Sequence, residues 1–175
     1  MLQIEVLGWP KFVVMMESMN QQAFEPRDPD YERKVRASFG KQSIMQLLAD
    51  SLTRVEPGLV EIELPFRQDL TQQHDYVHAG VSTTIGDSAG GYAAFSLMAP
   101  GTSVLTVEYK VNLLAPADGE LFVAQGRVLR AGRRLTICEF DVHAVTGSKR
   151  VKCLHGTQTI MCMEDRADGP GAKAK

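Results

Sequence analysis

The chain has 175 residues, which is enough for one domain with a substantial hydrophobic core. Hydrophobic residues make up 44% of it and charged residues 23%, which is ordinary globular composition. A formal net charge of -2 gives no support for a nucleic-acid partner, where a basic excess is expected. No segment approaches the roughly 20 apolar residues of a membrane-spanning helix.

Two features bear on the cellular compartment. Residues 1–20 are somewhat apolar, but Gly8, Pro10 and Lys11 interrupt them and they lack a basic leader and a small-residue cleavage site, so we expect no signal peptide. The chain has three cysteines, Cys138, Cys153 and Cys162. They are odd in number, lack Cys-x-x-Cys spacing and lie within apolar strand patterns. This usage predicts reduced, buried thiols in a cytoplasmic protein.

The first predicted elements are two short helices and a hairpin. Residues 28–37 form a charged segment that opens on Asp-Pro, and residues 39–49 carry spaced apolar side chains, so each segment predicts a short helix. Leu52–Val55 and Leu59–Phe66 are predicted as strands. The Pro57-Gly58 pair between them has the residues of a tight turn, which favours a hairpin.

A run of small residues follows a polar loop and predicts a helix that begins near Ala79. The predicted helix contains three glycines in its interior, Gly86, Gly90 and Gly91. Each glycine destabilises the helix by about 1 kcal/mol relative to alanine, so close packing must compensate for this loss. The helix carries a single carboxylate, Asp87. Because a buried carboxylate is unfavourable unless it is paired, hydrogen-bonded or open to a cleft, Asp87 is predicted to line a site.

Four long strands follow the helix. Residues 103–113 alternate without an interior bulge signal between an apolar face (Leu105, Val107, Tyr109, Val111, Leu113) and a polar face (Thr106, Glu108, Lys110, Asn112). The other three strands are predicted at Leu121–Arg130, Arg134–Val145 and Arg150–Cys162. Consecutive strands joined by tight turns predict an antiparallel sheet.

Two stretches resemble a known family. His78-Ala79-Gly80, with an acid nine residues after the histidine, and the stretch from Thr106 to Ala117 resemble the hotdog-fold acyl-CoA thioesterases of the phenylacetyl-CoA-thioesterase-like (PaaI) family. The resemblance implies an α+β hotdog fold, in which an antiparallel sheet wraps around one central small-residue helix. It divides the chain into an N-terminal extension with a short helix (1–37), a hotdog thioesterase domain (38–163) and a disordered tail (164–175).

The chemistry follows from the helix start and from the resemblance. The first N–H groups of a helix have no intrahelical partner, so the N–H of Ala79, with that of Gly80, is predicted to stabilise the oxyanion of a thioester. The resemblance implies that the Gln72 amide assists the carbonyl and that Asp87 acts as general base or as nucleophile. It also implies that the Thr106 hydroxyl orients water, provided that the polar face of its strand turns toward a subunit interface.

The resemblance further implies hydrolysis of acyl-CoA thioesters at a site shared across a homodimer, with a tetramer of two such dimers. Strand 103–113 would otherwise be an open sheet edge, which pairing with its symmetry mate would close. Coenzyme A enters only as part of the substrate, and no bound cofactor is expected. A non-catalytic acyl-CoA-binding module and a hotdog hydratase or dehydratase stay open as alternatives.

Other candidate residues have both a structural and a functional interpretation. His78 either hydrogen-bonds the loop backbone or contacts substrate. Arg133 and Arg134 either lie in a solvated turn or contact coenzyme A phosphates. His74 and His78 superficially resemble a pair of zinc ligands, but they precede the helix and lack a third ligand, so no metal is expected.

Two positions depart from the family pattern. Ala79 replaces the first glycine of the usual pair, which is a mild change because only the backbone N–H is required. Gly91 stands where some hotdog thioesterases carry a threonine. The second change removes a substrate contact and indicates a different acyl pocket.

Overall fold

The computed structural model describes residues 24–164 of the chain. Two helices come first, α1 (Tyr31–Phe39) and α2 (Ser43–Leu48), followed by strands β1 (Ser51–Glu56) and β2 (Leu59–Pro65). A 3-10 turn over Gln68–Leu70 leads through a polar loop into the long helix α3 (Ala79–Phe95). The remaining strands are β3 (Ser103–Leu113), β4 (Leu121–Ala131), β5 (Leu135–Thr146) and β6 (Lys149–Met163).

The strands form one antiparallel sheet in the order β1-β2-β4-β5-β6-β3. Helix α3 packs across one face of this sheet and contacts every strand from β2 to β6. Side chains buried between helix and sheet form the core, and Phe95, Phe122 and Phe140 are the largest of them. The predicted α+β architecture, with a sheet around one small-residue helix, is confirmed.

The small residues of α3 allow the sheet to approach the helix closely. A side chain at Gly86 would overlap the ring of Phe140 on β5. A side chain at Gly126 of β4 would overlap the helix backbone at Ala89 and Gly90. The glycines therefore permit dispersion contacts that any larger residue would prevent, which compensates for their low helix propensity.

The predicted turn between β1 and β2 agrees with the structure, whereas the predicted start of the second helix does not. Gly58 adopts a φ of 78° between β1 and β2, a backbone conformation that favours glycine, and the predicted hairpin is confirmed. The start predicted for the second helix at residue 39 is wrong, because Phe39 is the last residue of α1 and Gly40 caps that helix. The second helix begins at Ser43.

Strand β3 does not alternate as predicted. Its ladder with β6 shifts register between Thr106 and Glu108, so Val107 is an extra residue in a β-bulge. The bulge reverses the parity of the strand, which leaves Leu105 on the outer face of the sheet and Tyr109 on the side of the helix. The prediction of one continuous apolar face is therefore wrong, because an alternating sequence does not reveal the extra residue.

Some predictions fall on residues outside the described range. We expected no signal peptide in residues 1–20, and these residues are not described. We also expected a disordered tail over residues 164–175, of which only Glu164 is described.

Within residues 24–164, no helix has both the length and the apolar character that a bilayer crossing requires. The three cysteines are free, and two of them are fully buried. Burial raises the pKa of Cys138 to about 12, so this thiol stays protonated at neutral pH.

Candidate active site

Helix α3 starts directly after His78, whose extended backbone (φ -60°, ψ 137°) and side chain form its N-cap. The Nδ1 atom of His78 accepts a hydrogen bond of 2.9 Å from the N–H of Gly80. A neutral His78 therefore carries its proton on Nε2. The N–H of Ala79 donates to no other residue in the described part of the chain. Of the two predicted oxyanion donors, Ala79 is free and Gly80 is engaged by His78.

Within residues 24–164, the amide N–H groups of Gln72 in the loop before the helix make no hydrogen bond. A bridge between Thr71 and Val77 closes the loop, and Asp75 turns it with a φ of 64°, which aspartate tolerates. The Oε1 atom of Gln72 accepts a hydrogen bond of 2.8 Å from the backbone N–H of His74. The Nε2 group of Gln72 is therefore available as a donor beside a cavity of about 380 Å³ that Gln72 shares with the helix start.

Asp87 lies on α3 beside strand β3. The Thr106 hydroxyl donates a hydrogen bond of 2.9 Å to its Oδ1 atom. Burial raises the pKa of Asp87, and the hydrogen bond from Thr106 opposes that rise. Thr106 thus contacts Asp87 within one chain, so the expectation that Thr106 reaches the site only at a subunit interface is wrong. The reason is that Thr106 precedes the bulge of β3 and faces the helix.

A second strand holds the backbone of Asp87. The Nε2 group of Gln158 on β6 donates a hydrogen bond of 3.1 Å to the Asp87 carbonyl oxygen. Gln158 is 2% exposed, and its amide occupies the space that a side chain at Gly90 would need. Asp87 is therefore held at its carboxylate by Thr106 and at its backbone by Gln158.

The predicted catalytic groups fall into two separate places in one chain. Gln72 and Ala79 line the first cavity, whereas Asp87 and Thr106 line a second one of about 320 Å³. Ala79 and Asp87 are eight residues apart on α3, which at the helical rise per residue separates them by about 12 Å along the axis. Within one chain these groups are too far apart to act on the same carbonyl carbon.

The two arginines predicted to contact phosphates lie in the β4–β5 turn. Arg133 and Arg134 are exposed, and neither side chain forms an ion pair within the described residues. The Arg134 carbonyl oxygen accepts a hydrogen bond of 2.8 Å from the N–H of Cys162, which also pairs with Val104 on β3. Because Val104 lines the cavity of Asp87, this turn lies at the same end of the sheet as that cavity.

The histidines fall into two groups. His74 and His78 belong to the loop before α3, and no group of three His, Cys, Asp or Glu side chains within residues 24–164 is arranged to hold a metal ion. His155 lies on the outer face of the sheet, where its Nδ1 atom is 2.8 Å from Oδ1 of the buried Asp141. Lys152 contacts the other carboxylate oxygen of Asp141 at 2.7 Å, so this cluster is an ion-paired structural feature.

Comparisons with known proteins agree with this geometry. The family model described as the thioesterase superfamily matches residues 74–151. A solved thioesterase family protein from Silicibacter pomeroyi is 42% identical, with a TM-score of 0.76 over 77% of this chain and 98% of that one. The proofreading thioesterase EntH of Klebsiella pneumoniae is 26% identical over 62% of this chain and 79% of its own. The E. coli PaaI protein shares the fold at 12% identity, with a TM-score of 0.69 over 77% of this chain and 94% of PaaI.

With its sheet wrapped around a helix that carries one acid, and with these similarities, the chain belongs to the thioesterase superfamily and has the hotdog fold. The resemblance to PaaI-like hotdog thioesterases is confirmed. Membership supports hydrolysis of thioester bonds as the general activity. The matched region contains Ala79, Asp87 and Thr106, whereas Gln72 lies just before it.

Two residues near Asp87 were missed in the sequence. Gln158 lies on β6 between the buried Gly156 and Ile160, so a lone polar residue at an inward position was the available signal. Gln42 lines the cavity of Asp87 from the turn before α2. No signal in the sequence marks Gln42, because only the packing of the helical pair against α3 places it there.

Proposed function

We propose that the protein hydrolyses acyl-CoA thioesters to the free acid and coenzyme A at sites built from two copies of the chain. In each site Asp87 of one protomer faces Ala79 and Gln72 of the other. The observation that carries this proposal is the separation of about 12 Å between Ala79 and Asp87 along one helix. Two chains related by a two-fold axis can supply both groups to one carbonyl, which a single chain cannot do.

In this proposal the edge strand β3 forms the interface between the two protomers. Among residues 24–164 it has a ladder with β6 on one side only. Its apolar side chains are about half exposed on both faces: Leu105 (52%), Val107 (55%), Tyr109 (51%) and Leu113 (62%). Because a long open edge of this kind invites uncontrolled pairing, antiparallel pairing with its own copy both covers these side chains and continues the sheet. Two such dimers form the proposed tetramer.

The helix start supplies the oxyanion site in this mechanism. The thioester oxygen accepts hydrogen bonds from the free N–H of Ala79 and from Nε2 of Gln72. The N-terminal end of the α3 dipole favours the negative charge that develops on this oxygen.

Asp87 acts as the general base. Thr106 holds its Oδ1 atom, which leaves Oδ2 to accept a proton from water as the water oxygen attacks the carbonyl carbon. The tetrahedral intermediate then breaks its carbon–sulfur bond, and the departing thiolate takes the proton that Asp87 accepted from water, which restores the carboxylate. The raised pKa of Asp87 makes it a stronger base than an ordinary aspartate, which suits this role.

The coenzyme A portion meets groups at the rim of the site. Arg133 and Arg134 supply exposed guanidinium groups for its phosphates. His78 keeps an Nε2–H donor for the substrate, because its Nδ1 atom is used by the helix cap. Coenzyme A enters as part of the substrate, and the proposed reaction uses no resident cofactor or metal. The three free cysteines, two of them buried, support a cytoplasmic location.

Release of free thiol from a panel of acyl-CoA esters tests the proposal. We expect hydrolysis of at least one ester, and a loss of about 10²–10⁴ in turnover for Asp87→Asn, which keeps the shape of the side chain. Single-turnover hydrolysis in H₂¹⁸O should place the label in the released acid and none in Asp87. Binding of acyl-CoA without hydrolysis of any ester would overturn the proposal in favour of a binding module.

A further inference from the structure

A buried glutamine on β6 leaves one of its two polar groups unpaired. Gln158 is 2% exposed, and its Nε2 group donates a hydrogen bond of 3.1 Å to the carbonyl oxygen of Asp87. Its Oε1 atom is buried and accepts no hydrogen bond from any residue in the range 24–164. Because an unpaired buried acceptor is unfavourable, an apolar side chain of the same length would suit the core better.

Helix α3 also gives up stability to accommodate this amide. A Cβ atom at Gly90 would overlap the Nε2 atom of Gln158 and would lie 2.9 Å from its Cδ atom. The amide therefore requires glycine at residue 90, although alanine would favour the helix. Glutamine and glycine form a matched pair, and each is less favourable for the fold than the apolar residue or the alanine that could replace it.

The hydrogen bond that this pair makes is not needed to satisfy the Asp87 carbonyl. That carbonyl lies inside α3, where the N–H of Gly91, four residues later, is its regular helical partner. Neither Gly90 nor Gly91 has a side chain that could pack against β6, and the atom nearest to a Cβ at Gly91 would be Cδ1 of Ile160, at 4.0 Å. The amide of Gln158 therefore holds this turn of the helix against β6 at the level of the acid.

The backbone and the carboxylate of Asp87 are held by neighbouring positions of one ladder. Thr106 on β3 donates to the carboxylate at 2.9 Å and is paired with Ile160, two residues from Gln158 on β6. A shift of the helix relative to β6 would change the distance between Asp87 and Thr106. It would also move the carboxylate relative to a bound carbonyl carbon.

We propose that Gln158 is a positioning residue for the hydrolysis, and that it fixes the location of Asp87 together with Gly90 at a cost in stability. This assignment rests on the hydrolase function proposed above. Gln158 lines neither the cavity of Asp87 nor that of Ala79, so it acts on the reaction only through Asp87. Because the rate of attack depends steeply on the placement of the base, loss of the amide should lower kcat and leave KM unchanged.

Gln158→Met tests this role, because it keeps the length of the side chain and removes both the hydrogen bond and the unpaired acceptor. With an ester that the wild type hydrolyses, we expect kcat to fall by about tenfold, KM to stay within about twofold, and Tm to stay equal or rise.

Gln125→Met is the matched control. Gln125 on β4 donates a hydrogen bond of 2.6 Å to Glu61 on β2. Its neighbour Gly126 faces the helix, so Gln125 faces the opposite side of the sheet. The kcat of Gln125→Met should therefore equal that of the wild type.

Substitutions at both members of the pair separate positioning from packing. Gln158→Ala leaves a cavity and removes the hydrogen bond, so Tm and kcat should both fall. Adding Gly90→Ala to this variant should raise Tm again, because the methyl group enters the space that the amide vacated and alanine favours the helix. The kcat of the double variant should stay low, since the hydrogen bond to Asp87 is still absent. Recovery of kcat along with Tm would show that Gln158 acts through packing alone and would overturn the proposal.

The possible failures are distinguishable. A folded Gln158→Met protein with the kcat of the wild type would overturn the positioning role while leaving the hydrolase function in place. A raised KM with an unchanged kcat would also overturn it, because Gln158 would then act on substrate binding. If the wild type hydrolysed no CoA ester, the hydrolase function itself would be contradicted, and the positioning role with it.

Discussion

The hydroxyl group of Thr106, on the edge strand β3, donates a hydrogen bond to Oδ1 of Asp87 on α3, with 2.9 Å between the two oxygen atoms. This contact exists because Thr106, the last residue before the bulge at Val107, faces the helix, whereas beyond the bulge the odd-numbered residues such as Tyr109 face it. The acid of the site is therefore oriented by the same strand that we propose as the dimer interface. In this proposal, assembly and catalysis are linked through this one strand.

Thr106→Val keeps the side-chain shape and removes the hydrogen bond, which should move the pH profile. Burial raises the pKa of Asp87, and the Thr106 hydroxyl opposes that rise, so losing the hydroxyl should raise the pKa further. A general base must be deprotonated, so kcat/KM falls as the pH falls through this pKa. The acid limb of kcat/KM against pH should therefore shift to higher pH in Thr106→Val.

Thr106→Ser is the control for this shift, because it keeps the hydroxyl and should leave the acid limb closer to that of the wild type. If the profiles of Thr106→Val and wild type superimposed, the hydrogen bond to Asp87 would have no effect on the catalytic base. The assignment of Asp87 as that base would then be wrong.

Ala79→Pro should remove the oxyanion donor without unfolding the protein. The N–H that proline lacks makes no hydrogen bond within the described chain, and proline is favoured at the first position of a helix. The preceding residue, His78, already has an extended backbone that is compatible with a following proline. We expect turnover to fall by about 10²–10³, as for loss of one oxyanion donor.

Circular dichroism of Ala79→Pro establishes that the fold is intact before turnover is compared. Ala79→Gly retains the N–H and separates the effect of the donor from that of the methyl group. Wild-type turnover in a correctly folded Ala79→Pro protein would eliminate this N–H as the oxyanion donor.

Asp50, between α2 and β1, should make the protein less stable as the pH rises. Both carboxylate oxygens are buried without a hydrogen bond from another described residue, and burial raises the pKa from 3.8 to about 6. The folded state therefore binds more protons than the unfolded state between about pH 4 and 6, so the free energy of unfolding falls with increasing pH across this range. Above about pH 6, Asp50 is charged in both states, and the full cost of burying its charge lowers the free energy of unfolding.

Asp50→Asn should remove this penalty. Because the group is only half buried, we expect a gain of about 1 kcal/mol at pH 7.5, or about 2–4 °C in Tm. The gain should vanish near pH 4, where Asp50 of the folded protein is already neutral. Asp118→Asn, at an exposed position, is the charge-matched control. A gain independent of pH would mean that burial does not perturb Asp50.

The elements themselves were predictable because local chemistry determines them. Glycine in the turn at residue 58, the small residues of α3 and the alternation in the later strands each identify an element from neighbouring residues alone. The position of Asp87 on a small-residue helix likewise predicted a site. Local patterns could not predict what depends on distant residues, namely the bulge at Val107 and the contact between Gln158 and the Asp87 carbonyl. The sequence did not decide whether His78 caps the helix or contacts substrate, and therefore did not show that the N–H of Gly80 is bonded to His78 while that of Ala79 is free.

The central claim is that two chains contribute to each site, and mixing two inactive variants tests it most directly. Gln72→Ala damages the oxyanion side and Asp87→Asn removes the base, so each homodimer carries two damaged sites. When the two are refolded together, a mixed dimer should contain one intact site and one doubly damaged site, and its activity should exceed that of either parent. Verified mixed dimers with no more activity than the parents, or an active enzyme that light scattering shows to be a monomer, would contradict the shared site.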